Sequence, residues 1–527
     1  MSQELERARS AASADGADPR AQRLGLWLGA ALFLGLALLP VPGLDVLQRR
    51  AAAVTALVAT LWLTQAVPLG AASLVPAALF PLLGVLPARE VSGAYMDDLV
   101  LLFLGAFMVA RGLESWGVHR RMALALVSVF GVEPRRLVLG FVVATGFVSL
   151  WINNTAATLM MYPIALAVIT TVGGKRSSPF ALAMLLGIGY AASIGGVATP
   201  VGTAPNQLLL GALRTSFPRA PAISFATWAT AWLPFAAVYL VILWWILTRV
   251  ALRVDSAGVL TRDVIAAERA KLGPMSRGER WMAAVFALTA LLWVTRGGLA
   301  IGEFSIPGWG QALAELQART LGLTSAEKFR PFVTDATVAI AMSLVCFALP
   351  VDRARGVRLL DWESAGKLPW DVLLLFGGGF AIARAFQSSG LDGVLGQALA
   401  PLLADRPAWL VIALVAAFMT FLSEIASNTA LTAIAMPVLA AAAVESGYDP
   451  RLVMLPATVA ASCGFMLPVG TPPNAVVFSS GLVPIRTMAR VGLVVDVVGV
   501  VLVTAVFTLW GRKVFGIEDG VPVWALP

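Results

Sequence analysis

Histidine and cysteine are almost absent from this sequence. The single histidine, His119, excludes any multi-histidine metal site, and beside Arg120 and Arg121 its plain reading is an interfacial residue. The two cysteines, Cys346 and Cys463, sit singly in apolar runs, so neither a disulfide framework nor a cysteine-ligated metal is supported. Charge is scarce as well: 13% of the 527 residues are charged against 59% hydrophobic, and the mean hydropathy is +0.83. Such a chain is not soluble, because apolar runs approaching the ~20 residues that cross a bilayer recur throughout. An integral membrane enzyme would need a nucleophile with its base, or carboxylates paired at one depth, and no such set is present. The net charge of +8 lies in loops between spans, where the positive-inside bias puts Lys and Arg, so nucleic acid is not an expected partner.

What is present is an all-α polytopic membrane protein. Residues 1–23 read as a disordered cytoplasmic tail, followed by a first span near Leu24 to Val41 that is retained rather than cleaved. Residues 24–248 form a first half, with spans near 51–68, 71–87 and 98–115, an interfacial helix at 120–131, a hairpin at 137–172 and a broken helix at 180–213. Each hairpin arm is too short to cross ~30 Å of hydrocarbon, so the hairpin reads as re-entrant, and Lys175-Arg176 closes it. Residues 249–280 are a basic linker carrying Arg249, Arg253, Arg262, Arg269, Lys271, Arg277 and Arg280, which places it in the cytoplasm. Residues 281–515 form the second half, with a hairpin at 408–445 and a broken helix at 452–482, and 516–527 are a C-terminal tail. The count is about eleven transmembrane helices plus two re-entrant hairpins, with the N-terminus cytoplasmic.

The two halves carry matching motifs. Asp98, Arg111 and Gly117 recur at one constant offset as Asp371, Arg384 and Gly390. Asn153-Asn154-Thr155 precedes Pro163 as Ser427-Asn428-Thr429 precedes Pro437, and the run Thr199 to Asn206 matches Leu467 to Asn474. An odd number of crossings separates the copies, so the repeat is inverted. Paired interrupted segments in corresponding halves point to the substrate site of a secondary transporter, and broken backbone at membrane depth is tolerated only against protein or a water-filled cavity.

Isolated Ser, Asn or Thr in membrane helices ordinarily bonds the backbone or a neighbouring helix. A duplicated Asn-Thr ahead of a proline, paired with a duplicated Pro-Val-Gly-Thr-x-Pro-Asn, reads instead as a ligand site. Half-helix ends at the hairpin tips favour anions, and Asn side-chain oxygens with carbonyls freed at Gly202 and Gly470 suit a hard cation. Sodium fits better than a divalent metal, since no carboxylate cluster accompanies those oxygens. Glu424, an intramembrane carboxylate, reads either as a proton carrier or as one half of a structural pair with a partner such as Arg384. Asp98, Asp335 and Asp371 sit at span ends and read as helix starts.

These residues resemble the divalent anion/sodium symporter family, the carriers of dicarboxylates, citrate and sulfate. Its signature, small-Ser-x-x-Phe-x-x-Pro-aliphatic-Gly-x-x-x-Asn-x-aliphatic-Val, is met without mismatch from Ala461 to Val477, and the likeness covers the chain after the tail. The resemblance implies an elevator-type transporter that works as a homodimer. It also implies that substrate meets Asn154, Thr155, Thr203, Ser427, Asn428, Thr429 and Thr471. It implies one sodium among Ser149, Asn153, Asn154 and Gly202, and another among Ser423, Ala426, Asn428 and Gly470. Asn153 departs from the family's Ser at the first tip. The leading expectation is sodium-coupled symport of a C4-dicarboxylate such as succinate, malate or fumarate in the cytoplasmic membrane, with sodium as coupling ion and no organic cofactor. A sodium-independent dicarboxylate exchanger, a carrier of sulfate or citrate, and a cation/proton antiporter using Glu424 are the alternatives.

Overall fold

The computed structural model describes residues 19–131, 133–171, 178–255, 263–301, 304–322 and 332–526. Most of the N-terminal tail, Lys175-Arg176 and Arg262 lie outside the described residues. The described chain is helical apart from two small antiparallel ladders, Leu299–Ile301 with Phe304–Ile306 and Pro350–Asp352 with Val357–Arg358. The helices Pro19–Leu38 and Val46–Thr64 open the fold and pack on one another. The single span expected at 71–87 is two short helices, Leu69–Ser73 and Val75–Leu82. Pro76 accounts for the break: it brings no N–H to continue the first helix but suits the opening turn of the second.

Two stretches then run through helices of the same kinds in the same order. The first holds α1 (Asp98–Ser115), α2 (Val118–Val129), α3 (Pro134–Ser149), α4 (Asn154–Thr171), α5 (Pro179–Gly196), α6 (Ala204–Ser216) and α7 (Phe225–Trp245). The second holds α8 (Trp370–Ser389), α9 (Leu391–Leu403), α10 (Ala408–Ser423), α11 (Asn428–Glu445), α12 (Pro450–Ala461), α13 (Pro472–Phe478) and α14 (Ile485–Val506). Between them lie Asp263–Ala270, Arg277–Arg296, Trp309–Thr320 and Asp335–Ala348. The steps from α1 to α2 and from α8 to α9 turn on Gly117 (φ 69°) and Gly390 (φ 70°), a left-handed conformation that a Cβ disfavours. That conformation is why this glycine pair stood out in the sequence.

Among the described residues seven helices are long and apolar enough to cross a membrane, or eight if α9 and α10, bent by 116°, are one span. The hairpins are α3 with α4 and α10 with α11, and their first arms have 16 residues each. The interior is close-packed: every residue of α5 from Phe180 to Gly196 is buried, the signature of a helix apolar on all faces. α3 and α5 meet backbone to backbone, for a Cβ on Gly195 would fall 2.1 Å from Gly146 O. The halves also cross over. α6 packs on α11 and α12 of the second half, and α13 packs on α4 and α5 of the first.

Candidate functional site

Each broken helix opens into a stretch of non-helical backbone that faces a hairpin tip. In the first half the break runs between α5 and α6, and α6 restarts at Thr203, an extended N-cap (φ −140°) that makes no side-chain cap bond. Asn206, fully buried, donates Nδ2 to Thr199 O at 2.7 Å, and more weakly to Val197 O and Gly196 O. Thr199 Oγ1 donates to Leu150 O at 2.6 Å and ties the break to the end of α3. Trp228 of α7 donates Nε1 to Val197 O at 2.9 Å. These bonds satisfy carbonyls that no helix ladder serves, which fixes their positions.

The Asn154 amide sits among oxygens. Its nitrogen, oriented by the hydrogen-bond pattern, lies 2.8 Å from Ser149 Oγ and 3.2 Å from both Gly202 O and Ala192 O. A Cβ on Gly196 would fall 2.2 Å from the Asn154 side chain, and one on Gly202 2.3 Å from Gly196 O, so two glycines make this close approach possible. Asn153 is exposed, and its Oδ1 accepts the Thr155 N–H at 2.8 Å, the geometry of a helix cap. Ser149, Asn154 and Gly202 therefore meet, while the Asn153 side chain caps α4.

The second half repeats the plan with one change of chemistry. Thr471, buried, caps α13 by accepting the Asn474 N–H at 3.4 Å. Asn474 Nδ2 donates to Leu467 O at 3.1 Å and Gly464 O at 3.2 Å. Ser427 is the N-cap of α11 and keeps its hydroxyl free of a cap bond, and Asn428 Oδ1 is buried without a hydrogen-bond partner. Ser423 Oγ donates to Thr420 O at 2.7 Å, and a Cβ on Gly470 would lie 3.4 Å from Ser423 O. Ser423 and Gly470 thus approach one another, and Ala426 in the same turn is buried. Thr155, Thr203 and Thr429 are half-buried.

Glu424 is corrected in one respect: Arg384 is not its partner. Arg384 donates to Glu90 O at 2.9 Å and approaches Asp97 at 3.6 Å, while the Glu424 carboxylate, 3% exposed, accepts the Met466 and Leu467 N–H groups at 2.8 Å each. Physically, a carboxylate buried in an apolar interior is satisfied by free backbone donors when no cation reaches it. Asp496 on α14 was missed by sequence reasoning. It is fully buried and accepts the Phe465 N–H at 3.0 Å. A lone carboxylate inside Leu493-Val494-Val495-Asp496-Val497-Val498 was the available signal. Among the described residues no group of three or more His, Cys, Asp or Glu could hold a metal ion.

Comparison with known proteins agrees with this architecture. Residues 21–517 match the family model described as the sodium:sulfate symporter transmembrane region. The chain is 37% identical over 515 residues to the sodium-dependent dicarboxylate transporter SdcS of Staphylococcus saprophyticus, covering 95% of this chain and 94% of that protein. SdcS of Staphylococcus aureus is equally similar, 37% over 518 residues with the same coverage. Two solved structures share the fold at low identity. The YdaH transporter of Alcanivorax borkumensis has a TM-score of 0.51 at 15% identity over 80% of this chain and 87% of that one. MtrF of Neisseria gonorrhoeae has a TM-score of 0.54 at 14% identity over 84% and 86%. With a family match across nearly its whole length, a close-packed helical body and two hairpins set against two broken helices, the chain belongs to the sodium:sulfate symporter family, whose members are membrane transporters and not enzymes.

Proposed function

We propose that the protein carries a C4-dicarboxylate such as succinate, malate or fumarate across the cytoplasmic membrane together with sodium. The observation that carries this reading is the Asn154 amide nitrogen held by Ser149 Oγ, Ala192 O and Gly202 O, a set of neutral oxygens already converged on one point. A hard cation of low charge would take the place of that N–H donor when the Asn154 amide turns its Oδ1 inward, and the absence of carboxylates around these oxygens favours sodium over a divalent ion. Ser149, Asn154 and Gly202 would hold one sodium beside Asn153, whose side chain caps α4, with Ser423, Ala426, Asn428 and Gly470 holding the second beside the unpartnered Asn428 Oδ1. Two carboxylates of the cargo would meet Asn154, Thr155 and Thr203 on one side and Ser427, Asn428, Thr429 and Thr471 on the other. The start of α11 at the second tip, where Ser427 makes no side-chain cap bond, presents free N–H groups to an anion. The name of SdcS, a sodium-dependent dicarboxylate transporter, supports the same cargo and coupling.

In this reading the halves form an inverted repeat of about eleven spans, the hairpins and broken helices move together as an elevator, the protein is a homodimer, and its N-terminus is cytoplasmic. The test is uptake of labelled succinate into proteoliposomes with an inward sodium gradient or with potassium in its place, and with empty or succinate-loaded interiors. Sodium-dependent accumulation in empty vesicles is the expected result. Uptake that ignores sodium and requires internal dicarboxylate would make the protein an exchanger, and no succinate uptake would transfer the cargo to sulfate or citrate.

A further inference from the structure

Three consecutive amides of the second break are held by two buried carboxylates from two different helices. Phe465 N–H reaches Asp496 Oδ1 at 3.0 Å, Met466 N–H reaches Glu424 Oε1 at 2.8 Å, and Leu467 N–H reaches Glu424 Oε2 at 2.8 Å. Glycines let the three segments close on one another. A Cβ on Gly492, one helical turn before Asp496, would fall 2.3 Å from Phe465 O. One on Gly464 would fall 2.7 Å from Ser423 Oγ and 3.2 Å from Glu424 Oε1, and one on Gly470 3.3 Å from Glu424 Oε2. Asp496 Oδ2 is buried and makes no hydrogen bond.

The first half does the same job without acid. Val197 stands three residues before Pro200 as Phe465 stands three before Pro468, and it is fixed through its carbonyl by Trp228 Nε1 at 2.9 Å. Leu150, directly after Ser149, occupies the place that Glu424 takes after Ser423. Both breaks are pinned through carbonyls by a buried asparagine, Asn206 in the first and Asn474 in the second, and the second adds three N–H groups held by carboxyls. Two buried acids are an expensive way to hold three donors unless the positions of those donors matter.

We infer that Glu424 and Asp496 are positioning residues, a two-armed clamp that sets the backbone of residues 465–467 and thereby the oxygens around Gly470. This deepens the proposed sodium coupling and rests on it for its functional consequence, while the clamp itself stands on the hydrogen bonds. Neither side chain needs to touch sodium or cargo. Hydrogen bonds to carboxyl oxygens from otherwise unpaired buried donors make the clamp strong for its size.

The test uses the full-length protein in proteoliposomes and in detergent. Glu424→Gln removes one of two acceptor oxygens, Asp496→Leu removes the third, and Asp496→Asn keeps the acceptor that faces Phe465 while discarding the acid. Expected are a rise of about tenfold in half-saturating sodium for E424Q and D496L, with maximal succinate uptake at saturating sodium retained, and near-normal behaviour for D496N. Hydrogen–deuterium exchange supplies a readout independent of coupling: peptides spanning 463–469 should exchange faster in E424Q and D496L and at the original rate in D496N. Faster exchange without any sodium response in the unaltered protein would overturn the coupling reading and leave the clamp standing. Unchanged exchange in both E424Q and D496L would overturn the clamp, as would a D496N protein as impaired as D496L. A variant that does not fold in detergent is replaced by its exchange measurement in native membranes, which is read by the same criteria.

Discussion

Asparagine side chains organise this site through both of their functional ends. Asn206 and Asn474 spend their nitrogens on carbonyls of their own breaks, and the Oδ1 of each is buried without a partner. Replacing Asn206 by Ala strips Thr199 O of its 2.7 Å donor and leaves it only the Gly202 N–H at 3.4 Å, an under-satisfied buried acceptor that costs up to ~1–3 kcal/mol. The variant should melt lower in detergent by a matching amount, and Asn206→Asp should be worse still, since it sets a carboxylate against carbonyl oxygens. Asn153 has a milder role. Its oxygen caps α4, a task serine performs as well, so Asn153→Ser should change stability by less than ~0.5 kcal/mol and leave half-saturating sodium unaltered. A several-fold change in sodium affinity in that variant would show that the longer amide itself shapes the first cage. Asn154→Ala, in contrast, removes a group inside the cage and should raise half-saturating sodium about tenfold, read from sodium titrations of succinate uptake.

At the scale of elements, the site depends on how helices stop. α5 ends at Gly196 and α12 at Ala461, and both restarts, at Ala204 and Pro472, follow a threonine with φ of −140°. The prolines and glycines that mark these breaks were plain in the sequence, and so were the hairpin tips, because their residues are unfit for lipid. What stayed hidden was partnership. Glu424 could not be matched with Met466 and Leu467, because a backbone donor has no letter in the sequence, and Asp496 acquires meaning only when α14 is packed against the break. Elements outside the membrane body obey ordinary surface electrostatics. Arg120 of α2 pairs with Glu268 at 2.8 Å, and Lys271 also bonds that carboxylate. The Lys271 hydrogen bond, helped by Arg120, holds the Glu268 carboxyl below its ordinary range. A lowered folded value means that the contribution to stability is full above the ordinary glutamate pKa and is lost as pH falls through the folded one. Glu268→Gln should therefore lower the melting temperature at neutral pH, change little at pH values below the folded pKa, and so flatten the acid limb of the profile. Arg214, at the end of α6, bonds both Asp97 and Asp98, yet it is nearly half exposed, so a double-mutant cycle should return no more than ~1 kcal/mol.

For the whole molecule the decisive feature is the exchange of short helices between halves. α13 lies on α4 and α5, and Gly189 lets it approach until a Cβ there would be 3.4 Å from Pro473 O. Either half alone would leave that seat and its apolar walls open, so residues 1–255 and 263–527 expressed separately should each be degraded, whereas co-expressed they should co-purify. The duplicated motifs announced that the chain has two related halves. They did not announce this interlocking, since sequence likeness reports descent and geometry reports contact.

One consequence of that interlocking concerns inheritance rather than motion. A hairpin in one half and a restart helix in the other share a surface, so a mutation that reshapes one is judged against a neighbour encoded several hundred bases away. Chimaeras made by joining front and back halves of two relatives would pair strangers at both seats. Grafts that carry a hairpin together with the distant helix it cradles respect the true unit of change, which is not contiguous in the gene.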